Sequence, residues 1–247
     1  MKLGIVGGLG PLATAYYYEL LTQMTDVRFD QDHLEIHIHS CPQIPDRTSY
    51  ILDHHNQNPL PLLTEIAKGL QDQGVDYITI PCITAHYFHD ELTSQLNVPV
   101  IHLVEEVCLY LKRKNIDCVG IMATNGTVES QLFQKVLDKY QICYVVPNQS
   151  LQEDVMHLIY QNVKVGQSIE MERFQRVSNY LKGEGAQTII LGCTELSIVK
   201  KEKHLDESYL DAMELLSAVA LTKCHKPLKE EYQYLIDEGE NVCKQTY

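Results

Sequence analysis

The feature that most constrains this chain is an internal duplication. The stretch "LGIVGGLGPLATAYYYELL" near the N-terminus has the same order of parts as "CVGIMATNGTVESQLFQKVL" further on: an apolar strand, a glycine-bearing turn, a helix. "GVDYITIPCITA" pairs in the same way with "GAQTIILGCTEL". Gly4 and Gly120 lie 116 residues apart, and Cys82 and Cys193 lie 111 apart. A period this long is not that of a solenoid. It points to two copies of an α/β domain, each ending one strand in a thiol.

The rest of the chain fits that plan. Apolar runs at "KLGIVGG", "HLEIHIHS", "VDYITIPC", "VPVIHL", "CVGIMAT", "ICYVV" and "QTIILGC" predict strands. Helical spacing is read at 13–25, 58–73, 84–96, 104–114, 127–139, 151–161 and 168–183. Strands that are apolar throughout and alternate with helices indicate parallel sheets covered on both faces. The expected fold is therefore α/β: two pseudo-symmetric duplicated domains, each a mainly parallel sheet flanked by helices, with the active site in the cleft between them. The first domain is expected over 1–100 plus 208–226, because "SYLDAMELLSAVALTKC" reads as a helix returning to it. The second covers 101–207. Residues 227–247 read as a peripheral helix or frayed tail.

Composition narrows the function. The 247 residues carry a formal net charge of −13, which repels phosphate backbones and argues against nucleic acid as a partner. No apolar run approaches the roughly 18 residues of a membrane span, so no membrane association is expected. The N-terminus reads as a strand and loop, not a signal, so a cytoplasmic location is expected. None of the eight cysteines has C-x-x-C spacing, and a reducing compartment disfavours a disulfide framework.

Two motif readings are set aside. Gly8-Leu9-Gly10-Pro11-Leu12-Ala13 fits the dinucleotide fingerprint, but no acid ends the second strand and Pro11 lacks an N–H for phosphate. A tight turn at Leu9 that lets substrate approach the backbone is the better reading. His33, His37 and His39 share a strand face, and His54-His55 follow, without the three or four converging ligands a metal needs. No metal and no cofactor are expected. Cys82 and Cys193 differ from the other thiols because both end apolar strands, precede threonine-bearing helix starts and occupy matching points of the repeat. A helix start favours a thiolate. Arg47, in "IPDRTSY", sits in a loop stiffened by Pro42 and Pro45, which suits carboxylate recognition. For Arg47 and for Lys164 in "NVKVG", an ordinary surface ion pair is the equal alternative.

With these residues in place, "GIVGGLGPLAT", "IPDRT", "IPCITAH", "ATNGT" and "LGCTEL" resemble, in order, the aspartate/glutamate racemase family that needs no pyridoxal phosphate. The resemblance spans about residues 1–226. It implies a homodimer acting on a small acidic amino acid, with Cys82 and Cys193 as acid and base on opposite faces of the α-carbon. It implies that Arg47 and Lys164 hold the side-chain carboxylate. Ile83, Thr84, Ala85, Thr124 and Thr194 would serve the α-carboxylate, with Leu9 in the substrate-facing turn. Glu195 stands where the glutamate-specific branch commonly has histidine, which points to aspartate-type or broader enzymes. Ile83 and Cys41 depart from asparagines of the family pattern. Losing an amide donor at the developing charge costs about 10²–10³ in rate. Two alternatives follow: a related dicarboxylate isomerase or decarboxylase, and a ligand-binding homologue impaired by Ile83.

Overall fold

The computed structural model describes residues 1–236. The strands β1 (Lys2–Gly7), β2 (Glu35–Ser40) and β3 (Tyr77–Thr79) form one parallel sheet in the order β2-β1-β3. A second parallel sheet contains β4 (Cys118–Ala123), β5 (Cys143–Val145), β6 (Thr188–Gly192) and β7 (Tyr209–Asp211), in the order β5-β4-β6-β7. The first three strands of each sheet occupy equivalent places, with β1 and β4 both internal and, beside them, β3 and β6, after which the chain reaches Cys82 and Cys193. The chain is thus α/β, built from two parallel sheets with helices around them. β1, β4 and β6 are buried almost throughout, which explains their continuous apolar runs.

The helices are α1 (Pro11–Met24), α2 (Arg47–Leu52), α3 (Leu60–Asp72), α4 (His89–Thr93), α5 (Leu103–Arg113), α6 (Asn125–Glu129), α7 (Leu132–Lys139), α8 (Gln149–His157), α9 (Met171–Gly183), α10 (Thr194–Lys203) and α11 (Ala212–Lys223). Pro11 opens α1, where a missing N–H and a preset φ are harmless. α3 buries Leu63, Ile66, Ala67 and Leu70 along one stripe. α11 is different, with Met213, Leu215, Leu216, Val219 and Leu221 buried around its circumference. It lies against α1, α5 and α10, joining the halves, and a helix apolar all round belongs inside. Just before it, β7 pairs with β6 in the second sheet.

Several elements differ locally from expectation. The helix read at 84–96 is a 3₁₀ turn, Ile83–Phe88, followed by the short α4. Ile83, Thr84, Ala85, His86 and Phe88 are all buried, so packing on several sides, not one apolar stripe, sets this segment. The helix read at 127–139 breaks into α6 and α7 at Gln131, whose φ is +58°. The strand "VPVIHL" contracts to a single parallel bridge, Ile78 to Val100. Pro99 has no N–H to extend the ladder, and His102 already caps α5 through Glu105 N–H at 3.0 Å. The segment read as helix 151–161 is α8 followed by a π-turn, Leu158–Val163.

In the tail, Leu228 bridges to Thr25 and Glu230–Leu235 forms a 3₁₀ turn with Leu235 buried. The rest of the expected tail, 237–247, lies outside the described residues. Of the histidines read as sharing a strand face, His37 and His39 lie on the edge strand β2, whereas His33 precedes it and closes the 3₁₀ turn Asp30–Asp32. His37 reaches Gln73 at 2.7 Å and Glu35 at 3.2 Å. Among the described residues, no group of three or more His, Cys, Asp or Glu side chains is arranged to hold a metal. No described helix is long and apolar enough to cross a membrane.

Candidate active site

Each thiol stands where its chain leaves a sheet. After β3, Ile80-Pro81 lead to Cys82, which caps the 3₁₀ turn and accepts Ala85 N–H on its carbonyl at 3.1 Å. His86 ties that turn back to the strand through the Ile80 carbonyl at 3.0 Å. Burial, with the neighbouring His102, pushes the His86 imidazole down to about 3, so it is a neutral structural group. After β6, Cys193 caps the ten-residue α10. Both thiols are nearly buried, Cys82 at 8% exposure and Cys193 at 7%.

They line one cavity. Its walls include Leu9, Arg47, Cys82, Ile83, Thr84, Thr124, Lys164, Cys193 and Thr194. Of the residues named from sequence only Ala85 is not on that wall; it is buried in the first half's core, close behind Cys82. Four more residues complete the lining: Asp46, Thr48, Tyr160 and Glu195. The space itself is about 10 Å³, roughly enough for one water. An amino acid needs more room than this, so the lining must move to admit one.

The two sulfurs have opposite electrostatic neighbours. Arg47 opens α2 behind the N-cap Asp46, whose carboxylate accepts Ser49 N–H at 2.8 Å. The guanidinium is threaded inward, donating to the carbonyls of Pro45 at 3.1 Å, Ile44 at 3.4 Å and Leu9 at 3.4 Å. Burial opposes its charge, but the Cys82 sulfur and the Asp46 carboxylate outweigh this and hold its pKa above the ordinary value. Its Nε is buried with no hydrogen-bond partner among the described residues. On the other side, the Cys193 thiol donates to Glu195 Oε2 at 2.9 Å, and Thr194 Oγ1 donates to the same oxygen at 3.0 Å. Burial and then the Glu195 charge hold the Cys193 thiol well above its usual range. It is protonated at neutral pH.

Three hydroxyls form a triangle at the site: Thr84 to Thr124 and to Thr127 at 3.0 Å each, and Thr124 to Thr127 at 3.1 Å, with Thr84 and Thr124 on the wall that holds the thiols. Thr84 comes from the first half and the other two from the second, so the triangle joins the halves at the site. Lys164 follows the π-turn, its ammonium 4.0 Å from the centre of the Tyr160 ring. Burial opposes the lysine charge, while Glu195, Tyr160 and Cys193 raise its pKa above the ordinary value. A buried thiol beside a carboxylate, a second thiol on the same wall, and a guanidinium, an ammonium and hydroxyls around them are the groups that proton exchange with a carbon acid calls for.

Asp46 was legible as an N-cap, an aspartate before a serine-bearing turn. Thr48 and Thr127 end the motifs "IPDRT" and "ATNGT" but were not singled out within them, and Tyr160 carried no signal, since tertiary packing alone brings it here.

Relatives share this arrangement of chain. A family model described as Asp/Glu/hydantoin racemase matches residues 6–220. The chain is 29% identical over 204 residues to the broad specificity amino-acid racemase RacX of Bacillus subtilis (strain 168), covering 80% of this chain and 86% of that protein. It is 33% identical over 160 residues to a glutamate racemase of Aquifex pyrophilus, covering 62% of this chain and 60% of that protein. Among solved structures, the Picrophilus torridus aspartate racemase superposes with a TM-score of 0.83 and 30% identity, over 95% of this chain and 98% of that one. A match that starts in β1 and ends in α11 takes in both halves and both thiols, and it makes this chain a member of the Asp/Glu/hydantoin racemase family.

Proposed function

We propose that this amino-acid racemase inverts a small acidic amino acid, aspartate or glutamate, by proton transfer between Cys82 and Cys193, without a cofactor and as a homodimer. The observation that carries the reading is that both thiols line one cavity in unlike company: Arg47 and Lys164 share its wall with them, and the Cys193 thiol alone donates to a carboxylate, Glu195 Oε2 at 2.9 Å. In the proposed scheme Cys193, held protonated by burial and Glu195, is the acid toward one enantiomer, and Cys82 serves as its base. Cys82 takes the α-proton from one face; Cys193 gives its S–H proton to the other, leaving its own sulfur negative near Lys164. The opposite enantiomer is turned over by the other protonation state, in which the roles are exchanged.

The α-proton is a weak acid, so donors at the developing carbanion carry much of the barrier. Thr84, Thr124 and Thr194 are suited to hold the α-carboxylate. The free Arg47 Nε and the Lys164 ammonium are suited to the side-chain carboxylate. Ile83 brings an apolar wall beside Cys82 and supplies no side-chain donor, which favours slow turnover, or, as a second reading, binding without turnover.

The test is to incubate the protein with L- and D-aspartate and glutamate in D₂O, following α-deuterium and optical rotation. Cys82→Ala and Cys193→Ala are each expected to abolish inversion with the circular dichroism unchanged. Near-full racemisation by either variant would refute the two-thiol scheme, and binding without any exchange would favour the second reading.

A further inference from the structure

The cleft does not end at the thiols. It continues outward into a chamber of about 420 Å³, and Leu9, Asp46, Arg47, Lys164 and Glu195 line both spaces. Those five residues form a neck. Its charges balance, Arg47 and Lys164 against Asp46 and Glu195. Beyond the neck the wall changes character: Leu12, Pro42, Ile44, Val163 and Ile198 face the chamber. Ile44, Val163 and Ile198 are buried, while Leu12 stands at the rim with 64% exposure.

An aspartate or glutamate whose carboxylate meets Arg47 and Lys164 stops at the neck. The chamber beyond would then hold only water, against a wall that past the neck consists of Leu12, Pro42, Ile44, Val163, Ile198 and the turn at 8–13. An apolar wall continuous with a substrate cleft favours a ligand that displaces this water. The neck is lined on all sides and leaves little free space, so a chain passing it must be narrow.

We infer that the side-chain subsite extends through this neck, so that the enzyme also takes amino acids with linear aliphatic side chains of three or four carbons, norleucine being the fullest fit. The inference rests on the racemase reading above. The chain's head binds at the thiols as an acidic substrate's does, and the methylenes beyond Cβ pass the charge-balanced neck and leave water for Ile44, Val163 and Ile198.

The experiment is α-deuterium exchange in D₂O by the full-length protein, with 2-aminobutyrate, norvaline and norleucine beside aspartate and glutamate. Each methylene moved from water to the wall is expected to raise kcat/KM about fourfold, and about 15-fold from 2-aminobutyrate to norleucine. Ile198→Ser is expected to flatten that ratio, which is read within one variant and so is independent of its overall activity. Leu12→Ser at the exposed rim gives the same ratio from a position on which the fold does not depend. A flat or falling series, with aspartate or glutamate exchanging normally, would overturn the extended subsite, as would a full ratio in both variants. Absence of exchange with every substrate would instead remove the racemase reading, and this inference with it.

Discussion

Gly126 marks the tightest approach between the halves beside the site, and Gly126→Ala tests whether that approach matters. A Cβ at this position would lie 2.9 Å from Thr48 Cα and 2.9 Å from Thr48 Oγ1. Ordinary carbon contacts are about 3.5–4.0 Å, so α2 and α6 must separate by roughly 0.6–1 Å. The hydroxyl can rotate away; the Cα cannot. Overpacking of this kind costs about 1–3 kcal/mol, or about 4–8 °C in Tm for 2 kcal/mol in a chain of this size. Function should suffer more. Arg47 precedes Thr48, and Thr124 and Thr127 flank Gly126, so the guanidinium and the hydroxyl triangle move apart together. Misplacement by about 1 Å costs about 10²-fold in rate. The control is Gly69→Ala in α3, where an added Cβ has nothing within 4 Å and gains about 0.5–1 kcal/mol from helix propensity. Calorimetry gives Tm and the deuterium-exchange assay gives kcat/KM. A Gly126→Ala protein as stable and as active as Gly69→Ala would show that the helices have room to spare, and the reasoning would fail.

Two further outcomes are expected. Glu195→Gln removes the charge that, together with burial, holds up the Cys193 thiol, so the pH profile of Cys193 alkylation by iodoacetamide, followed by mass spectrometry, should move to lower pH; an unmoved profile counts against the pairing. Burial and the Asp211 charge raise the Glu214 carboxyl from 4.5 to about 7, so the folded chain holds a proton that the unfolded chain has released. Stability from this group is therefore full below pH 4.5 and drains as pH rises towards 7, by up to about 3 kcal/mol at 1.36 kcal/mol per unit. Glu214→Gln should flatten the urea midpoint between pH 5 and 7, whereas an unchanged slope would assign that pH dependence elsewhere.

Much of the fold was legible because parallel strands buried on both faces leave unbroken apolar runs, as in "CVGIMA" of β4 and "TIILG" of β6. The duplication then paired strand with strand. Hydrogen-bond type was harder to read. Ile83–Phe88 was readable as helical, but nothing in its residue pattern distinguished a 3₁₀ turn from an α-helix. At 158–163 the backbone takes five-residue bonds, Lys164 N–H to the Ile159 carbonyl at 3.0 Å. That turn sets Tyr160 beneath the Lys164 ammonium, and nothing in "LIYQNVKVG" announces it. The residues at strand ends were visible in sequence because β-to-helix junctions repeat, and Arg47, Thr124 and Lys164 were named beside them; Thr48, Thr127 and Tyr160, from α2, α6 and the π-turn, were not singled out, because their place depends on how the halves meet.

The duplication also hides something that chemistry requires. Two thiols in equal surroundings would share their protons evenly, and one proton moving across a carbon centre needs one sulfur ionised and the other not. The copies differ at the second position past the cysteine: Thr84 after Cys82, Glu195 after Cys193. In space that difference is a hydroxyl held in a triangle on one side and a carboxylate accepting the thiol proton on the other. Arg47 completes the bias from the same cavity wall as Cys82; the matching place after N-cap Asn148 in the second half holds Gln149, with no charge. The imbalance cannot be too deep, since catalysis in both directions requires Cys193 to ionise in turn. Lys164 lies against Glu195 and Cys193 as the balancing charge. On this view the near-symmetric backbone sets where the proton travels, and four ionisable side chains around the two sulfurs, Asp46, Arg47, Lys164 and Glu195, set which end it starts from.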